Sequence, residues 1–376
     1  MQVTDLAAQL RLAGHQALVV TATPGPPAPG VLRLSAPVPL GAPVNPGAGP
    51  QLKRVLAGAD VVHAHLGVLG PFAQQAAAIA AGQGIPTIVT WHSLPGTSPL
   101  ALALAPTWRR LIEDGVRPSA VSSLAARQLA ILLLRPGVPV IRNGLDVAAW
   151  STGASPERSS RPDTGGARSA GTTDESPQVV SAMRFAARKR PAHLIALMAR
   201  VRERSPASRR PQLTILGDGP WWAALEVLVR ASPLRDWVHL PGRLPRAEVA
   251  EKLRRADLYV APSRREAFGI AALEARCVGL PVAGFAGSGV RDVVQPGVGG
   301  ILETGDRRLA AALAELLADP VRLQRYADHH RGNPPWKHDW PVVTAATLAH
   351  YERAYRGGGW DDSGAEATDA RTSRGT

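Results

Sequence analysis

The stretch DLYVAPSRREAFGIAALEARCVGLPVAGF, residues 257–285, holds a strand, a loop, a helix and a second strand in the order that decides the fold. The apolar runs at 257–263 and 280–285 predict two buried strands. The helical segment between them ends at Gly279, shortly before Pro281, which is where a helix commonly stops. Because strands joined through a helix run parallel, the stretch predicts one βαβ unit of a parallel sheet.

The same alternation of strands and helices runs through most of the chain. Further strands are predicted at 17–20, 59–65, 87–92, 119–123, 138–144, 178–184, 212–217 and 237–242. The pattern predicts an α/β fold of two doubly wound, Rossmann-like domains, 1–150 and 178–337, that face each other across a cleft at the carboxyl ends of the strands. The polar segment 151–177 is predicted to be a flexible linker or insertion, and 357–376 a disordered tail.

The composition limits the kinds of partner. Lys and Arg number 43 against 30 Asp and Glu, a net charge of +13, which favours anions such as nucleotides, nucleic acid or an acidic membrane face, or is simply a solvated surface. Nucleic acid is disfavoured because the sequence lacks basic residues interleaved with aromatic ones. The single cysteine, Cys277, excludes an intrachain disulfide, and no apolar run reaches the roughly 18 residues of a membrane span. These features predict a cytoplasmic protein, with peripheral contact at the inner membrane face left open.

The beginning of the chain departs from the usual doubly wound pattern. Residues 5–14 predict a helix, whereas such domains usually open with a strand and a glycine-rich turn. We therefore expect the first strand of the N-terminal domain to be missing from this sequence. A start codon assigned too far downstream is the explanation we prefer.

Two glutamates flank the start of the helix in the opening stretch. Glu266 lies just before it and Glu274 inside it, and eight helical residues correspond to a rise of about 12 Å. That distance exceeds the roughly 5–9.5 Å between the two carboxylates of a glycosidase, so the pair could instead hold hydroxyl groups on two parts of one extended ligand. The amides of Phe268, Gly269 and Ile270 would lie between them, aimed at a sugar or phosphate. The plainer alternative is a helix N-terminal acid and a second, satisfied glutamate.

A basic loop, MRFAARKR at 183–190, follows the strand predicted at 178–184. Arg184 could pair with a diphosphate through its forked guanidinium and Lys189 through its point charge. A solvated basic surface is the alternative.

Other candidate motifs are weaker. Gly217 and Gly219 follow a strand, but Trp222 stands where a dinucleotide fingerprint would need its third glycine, which argues against a nicotinamide cofactor. His63, His65 and His92 lie at predicted strands without an acid or cysteine at ligand spacing, which argues against zinc. No metal and no cofactor are therefore predicted.

Taken in order, these segments resemble the retaining family 4 glycosyltransferases of the GT-B fold. The resemblance rests on two glutamates eight positions apart around Phe268-Gly269, on the Arg184/Lys189 loop, and on segments that follow in the family's order. Those segments are ADVVHAHLG (59–67), IVTWHS (88–93), IRNGLDVAAW (141–150), LTILGDGP (213–220), VHLPGRLP (238–245) and a closing crossover helix at 338–356.

The resemblance implies a role for each candidate residue. Glu266 would hold hydroxyls of the donor sugar beside the amides of Phe268, Gly269 and Ile270, and Glu274 would hold the ribose. Arg184 and Lys189 would neutralise the diphosphate without a metal, and His92 would lie at the reacting centre. The implied reaction is transfer of a sugar from a nucleotide-diphosphate sugar, with retention of configuration, to an acceptor that the sequence leaves open (lipid-linked, polysaccharide or small molecule). The alternative is a truncated or impaired relative that binds nucleotide weakly without turnover.

Overall fold

The computed structural model describes residues 2–36, 44–67, 70–96, 99–152 and 176–357. They form two compact units: the residues up to Gly144 together with those from Trp340 onward, and Leu145–Asp339. The linker predicted at 151–177 and the tail predicted at 357–376 lie outside the described residues, apart from 151–152, 176–177 and 357.

The elements are as follows in chain order. The helices are α1 Gln2–Leu12, α2 Gly49–Leu56, α3 Pro71–Gly82, α4 Pro99–Glu113, α5 Ser123–Leu133, α6 Val147–Thr152, α7 Pro191–Arg204, α8 Trp222–Arg230, α9 Arg246–Arg254, α10 Ile270–Cys277, α11 Asp306–Ala318, α12 Pro320–Gly332 and α13 Trp340–Tyr355. The strands are β1 Val19–Thr21, β2 Val31–Arg33, β3 Val62–Leu66, β4 Thr87–Trp91, β5 Arg117–Ala120, β6 Gln178–Ala182, β7 Gln212–Leu216, β8 Val238–Gly242, β9 Leu258–Val260, β10 Val282–Phe285 and β11 Gly300–Glu303. In the described part of the chain, no helix combines the length and the hydrophobicity that a membrane span needs.

The first unit contains a parallel sheet in the order β3-β4-β5 and a separate parallel pair, β1-β2. Its core includes Trp91 of β4 and Trp108 of α4, whose rings meet edge to face with centroids 4.8 Å apart. The first and last helices, α1 and α13, bury Leu6 and Leu10 against Trp340 and Val343. Apolar residues of α1 spaced four apart thus find their partner in a helix more than 300 residues away in the sequence.

The second unit is built on one parallel sheet with the strand order β8-β7-β6-β9-β10-β11. The chain builds outward from β6 to β8 on one side, and from β9 to β11 on the other. The order therefore reverses between β6 and β9, which is the position where doubly wound sheets bind ligands. Helix α7 packs against α11 over a core that contains Leu194, Met198 and Leu313.

Two predicted strands differ from the structure. Residues 138–144 form an isolated bridge between Ala120 and Val140 instead of a strand, because Pro139 has no N–H to continue the ladder. The strand predicted at 119–123 lies at Arg117–Ala120, because Ser122 is the N-cap of α5 and its Oγ accepts from the Ala125 N–H at 3.1 Å.

Two strands were not predicted from the sequence. Strand β2 lies in a stretch rich in proline and glycine, and β11 begins with glycine, which is a poor strand former. Gly300 is nevertheless required there, since a Cβ on it would lie 1.9 Å from the Val282 carbonyl oxygen of β10.

Candidate active site

The loops that follow β6 and β9 carry most of the predicted site residues. These strands are neighbours in the sheet, so the loops at 183–190 and 261–269 leave it side by side at the point where the strand order reverses. Arg184 and Lys189 belong to the first loop, and Glu266, Phe268 and Gly269 to the second. Sequence positions about 80 residues apart are thereby brought to one edge of one sheet.

The first loop rests on the loop that follows β7. The Phe185 N–H donates to Asp218 O at 2.7 Å, and the Trp221 N–H donates to Phe185 O at 3.1 Å. A Cβ on Gly217 would lie 2.0 Å from Met183 O, and one on Gly219 would lie 2.7 Å from Phe185 O. These glycines therefore allow two backbones to approach closely and support the basic loop.

The central contact is the ion pair between Lys189 and Glu266. Lys189 Nζ lies 2.5 Å from Glu266 Oε2, and each side chain retains about a fifth of its exposure (20% and 19%). The second carboxylate oxygen and the remaining ammonium hydrogens can still bind a ligand. Arg184 is exposed, and no hydrogen bond or ion pair engages its side chain among the described residues. The structure thus brings Lys189 to Glu266 but does not place Arg184 in the pair.

The start of α10 is shaped for close approach. Gly269 precedes the helix with φ 92° and ψ 59°, and a Cβ there would lie 2.9 Å from Val290 Cγ2. The Ala272 and Leu273 N–H groups donate to Gly269 O, whereas the amide of Ile270 precedes the first helical hydrogen bond. Phe268 is buried, with its ring 5.1 Å from that of His338.

Glu274 is the fifth residue of α10 and is buried, with 7% of its surface exposed. Burial raises its pKa to about 7, although the charge of Arg246 acts in the opposite direction. A carboxyl group with this pKa changes its ionisation near neutral pH. Glu274 can therefore act as an acceptor or a donor for a ligand hydroxyl, depending on pH.

His92 follows β4 in the first unit. Its backbone N–H donates to Leu66 O at 2.8 Å. In its side chain, Nε2 lies 2.9 Å from His65 Nδ1, so one of the two rings donates and the other accepts. Removal from water lowers the pKa of His92 to about 4 and that of His65 well below its usual range. Both rings are consequently neutral at physiological pH.

His63 continues this polar strip on the same unit. Its Nδ1 bonds Tyr351 Oη at 2.8 Å and its Nε2 bonds Thr90 Oγ1 at 2.6 Å, and burial lowers its pKa to about 3. The ring nitrogens of His63 are thus occupied by hydrogen bonds. Within the described ranges, His, Cys, Asp and Glu form no cluster suited to a metal ion.

Comparison with known proteins gives the family. Residues 1–149 match Glycosyltransferase Family 4, and residues 167–331 match Glycosyl transferases group 1. A glycogen synthase of Mycobacterium tuberculosis is 30% identical over 313 residues, which cover 79% of this chain and 70% of that protein. The chain belongs to glycosyltransferase family 4. A D-inositol 3-phosphate glycosyltransferase of Thermobispora bispora is 42% identical over 121 residues, a match that covers 31% of this chain and 27% of that one.

Solved structures show that this family 4 glycosyltransferase has the GT-B type of fold. A sucrose-phosphate synthase of Thermosynechococcus elongatus has a TM-score of 0.71 at 21% identity, covering 94% of this chain and 93% of that one. Anabaena HepE in complex with UDP and glucose also has a TM-score of 0.71, at 16% identity, covering 93% and 95%. The predicted α/β fold of two Rossmann-like domains and the predicted family are confirmed.

Three residues of this glycosyltransferase had no predicted role and connect the two loops. Arg190 and Arg264, which belong to the Lys189 and Glu266 loops, both form ion pairs with Asp306 at the start of α11. Arg190 was part of the quoted basic loop, but in an arginine-rich chain its residue type alone carried no signal. Its left-handed backbone and its distant partner become apparent only in three dimensions.

Proposed function

We propose that the chain transfers a sugar from a nucleotide-diphosphate sugar to an acceptor hydroxyl with retention of anomeric configuration. The observation that carries the proposal is the Lys189–Glu266 pair at the point where the parallel sheet of the second unit reverses its strand order. A cation and a hydroxyl-binding carboxylate are thereby adjacent, as a phosphate-linked sugar requires.

The two cations are assigned to the diphosphate. Lys189 supplies a point charge, and the exposed guanidinium of Arg184 supplies a fork for non-bridging oxygens. Negative charge grows on the leaving diphosphate as its bond to the sugar breaks. Fixed positive groups that meet this growing charge lower the barrier, and in this proposal side chains supply them.

Glu266 is assigned to hydroxyls of the transferred sugar, with the amides of Phe268, Gly269 and Ile270 beside it. Glu274 is assigned to the ribose hydroxyls. Since its pKa is about 7, its ionised form prevails above neutrality. A charged hydrogen bond of this kind is worth about 1.5–3 kcal/mol.

His92 is assigned to the reacting sugar as a neutral hydrogen-bonding group. Its pKa of about 4 leaves it uncharged at pH 7, so it orients the sugar without attracting the diphosphate. This assignment also rests on the family resemblance around IVTWHS.

For the reaction we propose attack from the face that the diphosphate leaves. The bond from the anomeric carbon to the phosphate oxygen breaks, and the acceptor oxygen bonds that carbon on the same side. The acceptor proton passes to the departing phosphate oxygen, so the charges balance.

Relatives suggest which substrates to test first. Names among them specify D-inositol 3-phosphate and glycogen, and structural neighbours were solved with UDP or UDP-glucose. We propose a phosphorylated polyol or a glucan as the acceptor class, and UDP-glucose and ADP-glucose as the first donors to test.

The test combines these donors and acceptors with wild-type protein, Glu266→Ala and the control Glu226→Ala. Glu226 pairs with Arg230 within α8, and neither residue belongs to the two loops. We expect wild type and the control to form a product whose anomeric proton coupling, measured by NMR, matches that of the donor. Glu266→Ala should fold normally and lose turnover. Unchanged turnover in Glu266→Ala, or an inverted product, would contradict the proposal, and a wild type that binds nucleotide without turnover would support the impaired-relative alternative.

A further inference from the structure

Arg190 adopts a backbone conformation that is unfavourable for its residue type. Its φ is 60° and its ψ is 43°, and in the described part of the chain Leu134 is the other non-glycine residue with positive φ. The left-handed region is costly for a residue with a Cβ, and it persists only where surrounding contacts impose it. Arg190 lies between Lys189 and Pro191, the first residue of α7.

The Arg190 side chain is held on several sides. Its Nη1 donates to Asp306 Oδ1 at 3.0 Å and its Nη2 to Asp306 Oδ2 at 2.8 Å, which is a bidentate pair. Nη1 also donates to Pro262 O at 3.1 Å, and the guanidinium carbon lies 5.4 Å from the centroid of the Phe285 ring. Only 14% of the side chain remains exposed.

Asp306 also holds the second loop. Arg264 Nη2 lies 3.1 Å from Asp306 Oδ2, and its guanidinium is 5.0 Å from the Phe285 centroid. The hydrogen bond from Arg190 is the main cause that lowers the pKa of Asp306. One carboxylate therefore joins the loop that carries Lys189 to the loop that carries Glu266, and Ser263 Oγ adds a bond to Arg188 O at 3.2 Å.

We call the ion pairs of Asp306 with Arg190 and Arg264 the clamp. The position of Arg190 in the chain determines which residues the clamp holds in place. Helix α7 is fixed in the core by buried Leu194 and Met198. A rotation of the backbone at Arg190 would therefore move the residues before it, and Lys189 first of all.

We propose that Arg190 and Asp306 are positioning residues that hold Lys189 against Glu266 and so prearrange the diphosphate site. The inference rests on the proposed function for its effect on donor binding, but the holding of Lys189 can be measured without any donor.

The test uses Arg190→Gly, Asp306→Asn and the control Leu134→Gly. Glycine accepts the left-handed backbone, so Arg190→Gly removes the clamp without adding strain. Leu134→Gly relieves the same kind of strain at the end of α5, far along the chain from the two loops. The sequence contains Lys53, Lys189, Lys252 and Lys337, so amine acylation followed by mass spectrometry resolves each lysine.

In ligand-free protein we expect Arg190→Gly and Asp306→Asn to raise the acylation rate of Lys189 several-fold relative to Lys53 and Lys252. For UDP, the dissociation constant should rise by roughly tenfold, because small displacements of positioning groups have effects of this order or larger. The melting temperature of Arg190→Gly should change little, and Leu134→Gly should alter neither Lys189 labelling nor UDP binding.

Lys189 labelling that is unchanged in both variants would overturn the inference. So would faster labelling with unaltered UDP affinity, since the clamp would then not serve the diphosphate site. If the wild type binds none of UDP, ADP and GDP, the proposed function fails, while the labelling arm still decides whether the clamp holds Lys189.

Discussion

Two polar clusters in this chain, one on the parallel sheet of each unit, differ in charge and in exposure to solvent. In the first unit, His63, His65 and His92 bond to neutral partners and to each other, and burial keeps them uncharged. In the second unit, Lys189 and Glu266 are charged, paired and partly open to solvent. Enclosure suits groups that orient a ligand by hydrogen bonds, whereas an open ion pair suits groups that must meet a phosphate.

The largest expected effect comes from removing the cation of the charged cluster. Lys189→Ala should lower kcat/KM for the donor by roughly 10²–10³-fold, since one preorganised group that meets developing charge is worth this much. Steady-state kinetics against Lys252→Ala, an exposed lysine on α9, provide the check. Equal losses in both variants would mean that Lys189 acts through bulk charge alone.

Acid should destabilise the fold by protonating the buried histidine cluster. A histidine whose pKa is lowered on folding is stabilising above its unfolded pKa of 6.5, and that stability is lost as the pH falls towards 4. For His92 alone, a folded pKa of about 4 corresponds to about 3 kcal/mol. Chemical denaturation between pH 7 and 4 measures this loss, and His92→Gln should reduce its slope. A slope unchanged by that substitution would show that other groups dominate.

Glu274 should give the opposite sign in the second unit. Its pKa is raised to about 7, so its contribution to stability is present below pH 4.5 and is lost as the pH rises through 7. Because the proposed contact with the ribose hydroxyls favours the ionised form of Glu274, nucleotide binding should strengthen over the same range. Glu274→Gln should flatten both pH profiles and weaken nucleotide binding by about 1.5–3 kcal/mol. Calorimetric titration of UDP at pH 6 and pH 8 checks this, and a pH-dependent affinity that persists in the variant would exclude Glu274 as its source.

The smallest effect concerns the turn before α10. Gly269→Ala should destabilise the fold by about 1–2 kcal/mol, because of its positive φ and the nearby Val290. Gly287→Ala is the matched control, since a Cβ there meets nothing within 4 Å. Thermal denaturation should separate the two variants, and equal melting temperatures would remove the strain argument.

The sequence identified the residues of the charged cluster but not the long-range contacts that bring them together. Lys189 and Glu266 could be found because each follows a clearly apolar strand and belongs to a spaced motif. Their contact depends on β6 lying beside β9, which no local pattern encodes. The histidine contacts likewise depend on the register of β3 with β4 and on α13, far along the chain.

Short elements account for the prediction errors in the fold. The residues around Pro139 have a strand-like composition, but they form only one isolated bridge, between Val140 and Ala120, at the edge of the sheet. Strand β11 forms although glycine is a poor strand former. Gly300 is required because β10 lies too close for a side chain, and strand propensity plays no part. Tertiary contacts override local preference in both cases.

The central claim is that Lys189 grips the diphosphate while Glu266 grips the sugar. Calorimetric titration of UDP and UDP-glucose into wild type, Lys189→Ala and Glu266→Ala tests it most directly. We predict that Lys189→Ala weakens both ligands alike, whereas Glu266→Ala weakens UDP-glucose more than UDP, since UDP lacks the sugar that Glu266 is proposed to hold. Equal weakening of both ligands by Glu266→Ala, or no weakening of either by Lys189→Ala, would contradict the account.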